Sequence, residues 1–211
     1  MSGDGGLKIA SGWAKGMQLQ VPKGLATRPT SGRVRAAVLN MLQPYSGGAR
    51  VLDLFAGSGA MLVELVSRGA KGGLLVEVAP AAIRCLEANV AELERRAIAQ
   101  SIESPAIELF RGRVLDALRR LTDDLLPRGA GANGFDIIWA DPPYQDAALV
   151  WQQLLDSCPK LLEPGGLLAF ECASTDKGVT IPPEEYLADH ALSVERDRSW
   201  GGTRVLIVKR S

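Results

Sequence analysis

An α/β fold on a mostly parallel sheet is predicted by three features of this sequence. From residue 51 to residue 172, short apolar runs alternate with stretches of helical periodicity, the pattern of strands joined by helical crossovers. The first of these runs, residues 51–55 (VLDLF), stops at Ala56-Gly57-Ser58-Gly59 and is followed at once by a helical stretch. A later buried run, residues 135–140 (FDIIWA), is broken by Asp141-Pro142-Pro143-Tyr144. Both interruptions fall where a strand hands over to a helix, the edge of an α/β sheet at which ligands bind.

In chain order, residues 7–11 and 17–21 flank a glycine-bounded turn at 12–16 and predict a small hairpin. A helix over 31–42 leads into the first core strand, 51–55, and a helix over 60–68 follows the glycine turn. Residues 73–78 (GLLVEV) predict the second strand, with Glu77 near its end. Pro80 suits the first turn of a helix reaching to about 96, with Ile83, Leu86, Val90 and Leu93 on one face. A third strand is expected over 107–110, a helix over 114–121, and a flexible loop over 127–134 (PRGAGANG). The strand 135–140 leads to a helix over 147–162, stopped by Glu163-Pro164-Gly165-Gly166, and to a strand over 167–172. Strands near 192–198 and 203–209, joined by Trp200-Gly201-Gly202, close the chain as an antiparallel hairpin.

A chain of 211 residues fits one ordinary domain with a small appendage. We divide it into an N-terminal extension over 1–42 and a body over 43–211. No apolar run reaches the roughly 20 residues that span a bilayer, and the start shows no charged-then-apolar leader. A soluble, intracellular protein with no membrane role is expected. Cys85, Cys158 and Cys172 form no CxxC pair and stand apart from His190. That argues against structural zinc and a disulfide framework and for buried thiols in a reducing compartment; no metal is expected.

The net charge is zero but unevenly spread: residues 1–40 carry +5 and residues 193–211 carry +3 around an acidic body. Basic ends suggest a surface that meets a polyanion.

The turn Phe55-Ala56-Gly57-Ser58-Gly59 lets a ligand approach the backbone, and the helix after it offers free N–H groups. Glu77, twenty residues after Gly57, can accept both hydroxyl protons of a ribose. The turn therefore reads an adenosine-type nucleoside. A dinucleotide site needs a third glycine where this chain has Leu62. Asp53 within the strand is out of place beside a pyrophosphate, but it is a natural partner for the amino group of a methionine moiety or for turn N–H groups. Together these favour S-adenosylmethionine, with S-adenosylhomocysteine as product, over NAD. Val78 can pack on an adenine face, and a further contact is expected from the loop at 111–114.

In Asp141-Pro142-Pro143-Tyr144 the two prolines fix φ and remove two N–H donors, which ends the strand and turns carbonyls outward. A planar base can stack on Tyr144 while its amine hydrogens bond to the Asp141 carboxylate and the Pro142 carbonyl. Accepting both hydrogens turns the amine lone pair toward the methyl donor, and Asp141 stabilises the cation that forms. No metal and no covalent intermediate are needed.

These residues resemble amino-methyltransferases with Asp/Asn-Pro-Pro-Tyr/Phe motifs. More closely, nearly the whole chain is similar to the RsmD family of bacterial-type enzymes that make N2-methylguanine in small-subunit (16S) ribosomal RNA. The resemblance rests on the stretch from Leu7 to Gly16 (LKIASGWAKG), Arg28-Pro29-Thr30 with Val34-Arg35, the stretch from Leu52 to Ala60 (LDLFAGSGA), and the Asp-Pro-Pro-Tyr. It implies a Rossmann-like, seven-stranded methyltransferase sheet with an N-terminal hairpin extension that helps hold RNA. It further implies that Arg28, Arg33 and Arg35 meet phosphates, with Lys15 at the hairpin tip assisting, and that a flipped guanine enters the pocket. The substrate is then ribosomal RNA within a subunit or assembly intermediate, methylated by a monomer. The place is the bacterial cytoplasm, or an organelle with bacterial-type ribosomes if a transit peptide has been removed. The pattern departs at Ala36, where the family usually has glutamate, and at Arg113, where it tends to have Asp or Asn bonded to the adenine amine. Arg113 lines the adenine site here but is a donor that cannot replace that acceptor, so the Val114 backbone holds the adenine, or Asp116 substitutes, or affinity is lower. The tetrad also suits an adenine N6 or a glutamine amide, and a non-catalytic RNA-binding scaffold would keep the same fold.

Overall fold

The structure, a computed structural model, describes residues 7–22, 32–123 and 134–211. The loop expected over 127–134 and Arg28 lie outside the described residues, save for Gly134.

Seven strands form one sheet in the order β3-β2-β1-β4-β5-β7-β6. They are β1 Arg50–Leu54, β2 Gly72–Glu77, β3 Ala106–Arg111, β4 Phe135–Ala140, β5 Leu162–Ala173, β6 Leu192–Trp200 and β7 Thr203–Arg210. The first five run parallel, and β7 lies antiparallel between β5 and β6. From β1 the chain winds outward through β2 to β3, then returns to pair β4 with the other side of β1, Leu54 opposite Ala140. The strand order reverses there, so the crevice lies beyond the carboxyl ends of β1 and β4. The glycine turn follows β1 and the Asp-Pro-Pro-Tyr follows β4, so pairing alone brings the two motifs together.

The helices are α1 Gly32–Leu42, α2 Ala60–Ser67, α3 Pro80–Ala99, α4 Val114–Thr122, α5 Ala147–Leu161 and α6 Glu184–Asp189. One face of the sheet packs Leu118, Leu121, Trp151 and Leu154 of α4 and α5 against Leu52, Ile138 and Phe170. The other face packs α1, α2 and α3 together with Ile9, Ala14, Met17 and Leu19 of the N-terminal segment. That segment thus contributes to the core that the sheet itself uses. Alternation along the strands makes this possible: Val51 and Leu52 are both buried, but on opposite faces.

Several boundaries differ from the expected ones, each for a local reason. Helix α3 runs three residues past 96 through the helix formers Ala97 and Ala99, ending where Ser101 takes φ 55°. Its buried face is Ala82, Leu86, Asn89, Leu93 and Ala97, so Ile83 and Val90 sit at its flank and a polar Asn89 sits at its centre. Glu163-Pro164-Gly165-Gly166 does not precede β5 but bulges within it: Leu162 already pairs Phe135, and pairing resumes at Leu167 with Ile137. Trp200 belongs to β6, leaving Gly201-Gly202 as a two-residue turn. The short α6, with only Leu187 buried, has too little apolar periodicity to show in the sequence. The expected hairpin at 7–21 has a single bridge, Lys8 with Gln18, and no continuous strands.

Candidate active site at the carboxyl edge

Beyond Leu54 the backbone takes left-handed conformations at Phe55 (φ 63°), Gly57 (φ 58°) and Gly59 (φ 75°). For a phenylalanine this conformation costs on the order of 1–3 kcal/mol and persists only where the surroundings impose it. They do so from several directions. The Phe55 ring packs on the core, Ala56 N–H donates to the Val76 carbonyl at 3.0 Å, and Gly59 N–H donates to the Ala56 carbonyl at 2.7 Å. From the end of β2, Glu77 reaches over: one carboxylate oxygen accepts Gly57 N–H, and the other accepts Val78 and Ala79 N–H, each at 2.8 Å. From α3, Asn89 donates to the Ser58 carbonyl at 2.8 Å. Glu77 is therefore a clamp on the turn as well as the expected ribose acceptor.

Asp53 is 1 % exposed and accepts Leu62 N–H at 3.2 Å, in the first turn of α2. Of the two partners expected for it, the structure supplies an N–H group, placed in the helix rather than in the glycine turn. Burial raises its pKa to about 8, against the pull of the Leu62 bond, and the charges of Asp141 and Glu77 push the same way. At neutral pH Asp53 therefore holds its proton beside the charges of Asp141 and Glu77. Such a field suits a cation and repels a pyrophosphate. Among the described residues no cluster of metal-ligating side chains is present.

After Ala140 the chain turns at half-buried Asp141 and buried Pro142. Pro143 is extended (φ −52°, ψ 137°), and its carbonyl accepts Asp146 N–H at 2.9 Å, closing the 3-10 turn Tyr144–Asp146. Tyr144 is 41 % exposed. Val78 is 57 % exposed, so it lies on the surface beside Glu77 and not in the core. Gly112 N–H donates to the Glu77 carbonyl at 3.0 Å, tying the loop after β3 to the same edge. Within that loop Arg113 is exposed, and its carbonyl accepts Asp116 and Ala117 N–H as the start of α4. The Val114 side chain is core, which leaves backbone and the Arg113 side chain to face a ligand.

Of the residues expected to meet RNA, Lys15, Arg33 and Arg35 are among the described ones. Arg33 is exposed at the start of α1. Arg35 is half-buried, and burial lowers its pKa against the attraction of Glu64. Lys15 stands far from the tetrad. Its turn is docked on the last residue of α2, with Trp13 N–H donating to the Ser67 carbonyl at 2.9 Å and Ala14 N–H to Ser67 Oγ at 2.9 Å. Helix α2 starts at the glycine turn and ends eight residues later, about 12 Å away at the opposite edge of the sheet. Gly12 permits this docking: at φ 80°, a Cβ there would lie 1.7 Å from the Ser67 carbonyl oxygen.

Sequence reading missed Glu64, Ser67 and Asn89, the buried polar side chains that hold the extension. Glu64 accepts Ala10 N–H at 2.7 Å, Ser67 Oγ also donates to the Ser11 carbonyl at 2.6 Å, and Asn89 pairs with Gln20. The available signal was a polar residue on the apolar face of a helix.

Known proteins resemble this chain along most of its length. The family described as "Conserved hypothetical protein 95" matches residues 7–207. "Putative rRNA methyltransferase YlbH" of Bacillus subtilis is 33% identical over 205 residues, 97% of this chain and 99% of the relative. "Ribosomal RNA small subunit methyltransferase D" of Escherichia coli K12 is 34% identical over 170 residues, 81% of this chain and 73% of the relative. Among solved structures, "Putative methyltransferase yhhF from Escherichia coli" superposes with a TM-score of 0.71 at 26% identity, covering 97% of this chain and 98% of the other.

Proposed function

Because this chain belongs to the family described as Conserved hypothetical protein 95, the RsmD family, we propose that it is an S-adenosylmethionine-dependent methyltransferase of small-subunit ribosomal RNA whose acceptor is the N2 amine of a guanine. The observation that carries this reading is the pairing of β1 with β4, which sets the glycine turn beside Asp141 at the switch point. The residues present fit the cofactor. The turn offers a close backbone approach, Glu77 at the end of β2 can accept from a ribose, exposed Val78 offers an apolar face, and the charges of Asp141 and Glu77 favour a positively charged ligand. S-adenosylmethionine supplies a methyl group on a positive sulfur, open to attack by a neutral amine.

The chain's own residues do the rest. Tyr144 stacks on a base turned out of its helix, since a stacked base hides its amine. Asp141 and the Pro142 carbonyl accept the two amine hydrogens, which holds the lone pair toward the methyl. Positive charge develops on the nitrogen beside Asp141 as the sulfonium becomes a neutral thioether, the carboxylate stabilises it, and the extra amine proton is then lost to solvent. Arg113 and the Val114 backbone face the adenine, and Arg28, Arg33 and Arg35 meet phosphates from the N-terminal side. The protein acts as a monomer, in the cytoplasm of a bacterium, on RNA within a subunit or an assembling one. No helix among the described residues is long and apolar enough to cross a membrane.

The test is mass spectrometry of nucleosides from small ribosomal subunits lacking the modification, after incubation with the protein and labelled S-adenosylmethionine. N2-methylguanosine is expected. N6-methyladenosine would overturn the acceptor, and no label on naked RNA, partial subunits or whole subunits would overturn the activity.

A further inference from the structure

Asn89 lies at the middle of α3 on its buried face, 2 % exposed. A buried amide is costly unless its donors and acceptor are met. Here backbone meets all of them, from two segments far apart in sequence. Oδ1 accepts Gln20 N–H at 2.7 Å. Nδ2 donates to the Gln20 carbonyl at 2.9 Å and to the Ser58 carbonyl at 2.8 Å. The orientation of the amide is dictated by this set, since turning it over would set an oxygen against two carbonyls. Among the described residues, Glu64 and Ser67 also hold the extension, but neither bonds to the glycine turn.

The structure assigns a positioning role to Asn89: we propose that it couples the N-terminal segment to the cofactor turn, so that a ligand fixing Ser58 also fixes Gln20. The amide has one arrangement that satisfies both ends, and loosening either end frees the other. Gln20 lies eight residues before Arg28. Whatever orders Gln20 therefore tightens the ligand at the turn, and by thermodynamic reciprocity that ligand tightens the order at Gln20 by the same factor. An apolar residue would fill this part of the helix face without making the link. The proposal rests on the reading that the turn binds S-adenosylmethionine.

Hydrogen exchange of the full chain, with and without saturating S-adenosylhomocysteine, tests this. Binding is followed by calorimetry on the same samples. In the unmutated protein the ligand slows exchange at residues 55–59 and also, about fivefold or more, at 18–21. In Asn89→Ala the ligand still binds and still protects 55–59, but the slowing at 18–21 falls to within about twofold of none. Asn89→Asp, which keeps Oδ1 and loses both Nδ2 donors, behaves like Asn89→Ala and serves if the alanine variant does not fold. Binding without slowing at 18–21 in the unmutated protein overturns the coupling alone, as does full slowing in either variant. No binding by the unmutated protein overturns the cofactor reading as well.

Discussion

The glycine turn is held from β2 by Glu77 and Val76 and from α3 by Asn89, whereas the Asp-Pro-Pro-Tyr corner presents a tyrosine 41 % exposed on a three-residue 3-10 turn. These neighbours on adjacent strands are built differently: one turn is tied to two other elements, and the other ends on an exposed ring. The cofactor side keeps a strained Phe55 in place with its own hydrogen bonds, the mark of a preorganised pocket. On the proposed base side Asp141 and the prolines end the strand, and the substrate would supply the other face of the Tyr144 stack. The difference suits an enzyme that binds one small, constant cofactor and one large, structured acceptor. Changes on the first side should then alter affinity for the cofactor, and changes on the second should alter transfer.

The largest effect is expected at Asp141. Asp141→Ala should lower methyl transfer about a hundredfold or more, the usual loss when one preorganised charge-stabilising group is removed. Single-turnover transfer of labelled methyl to small ribosomal subunits measures it. Tyr144→Ala acts on the same step by loosening the base, a loss of about 1–3 kcal/mol.

Next comes Glu77. Glu77→Ala removes the expected ribose acceptor, the bond to Gly57 of the turn and the bonds to Val78 and Ala79, and should weaken S-adenosylhomocysteine binding by about 1–3 kcal/mol. Unchanged calorimetric affinity would put the ribose elsewhere.

Asp53 tests the crowded carboxylates through stability. Its folded pKa of about 8 stands above the ordinary 3.8, so between those values the folded chain holds a proton that the unfolded chain releases. The stabilisation is complete below about pH 4 and is lost as pH rises toward 8. Inside that window it changes by up to about 1.4 kcal/mol per pH unit. The melting temperature of Asp53→Asn should therefore gain on the unmutated protein between pH 5 and pH 8. Parallel curves would mean that Asp53 is ionised throughout.

The smallest effect separates Arg33 from Lys15. Arg33→Ala should reduce the log–log salt slope of RNA binding by about one unit. Lys15→Ala should leave it unchanged, because the Lys15 turn is docked at Ser67, across the sheet from Asp141. Equal losses would mean that RNA reaches both edges.

What the sequence revealed about this site follows from where its parts lie along the chain. Phe55 to Gly59 and Asp141 to Tyr144 are contiguous, and their chemistry is local: glycines that permit a turn, prolines that end a strand. The place of Glu77 at the end of the second strand was legible because the path from the first strand to the second has a fixed logic. Asn89, Glu64 and Ser67 were not, because what each does depends on a partner 53 to 69 residues away. The docking of the Lys15 turn on Ser67 was hidden for the same reason. A turn flanked by extended residues can be read as a hairpin tip, but nothing local says which surface it meets. The bulge at 163–166 shows the converse: a Pro-Gly-Gly that breaks a helix can still lie inside a strand when its neighbours pair on both sides.

The central claim is that the two sides of the crevice divide binding from chemistry. It is tested most directly by assaying Asp141→Ala and Glu77→Ala together for S-adenosylhomocysteine affinity and for single-turnover transfer at saturating S-adenosylmethionine. The predicted pattern is crossed: Asp141→Ala keeps the affinity and loses the rate, whereas Glu77→Ala loses affinity and keeps most of the rate. Two variants that each lose both in proportion would contradict it.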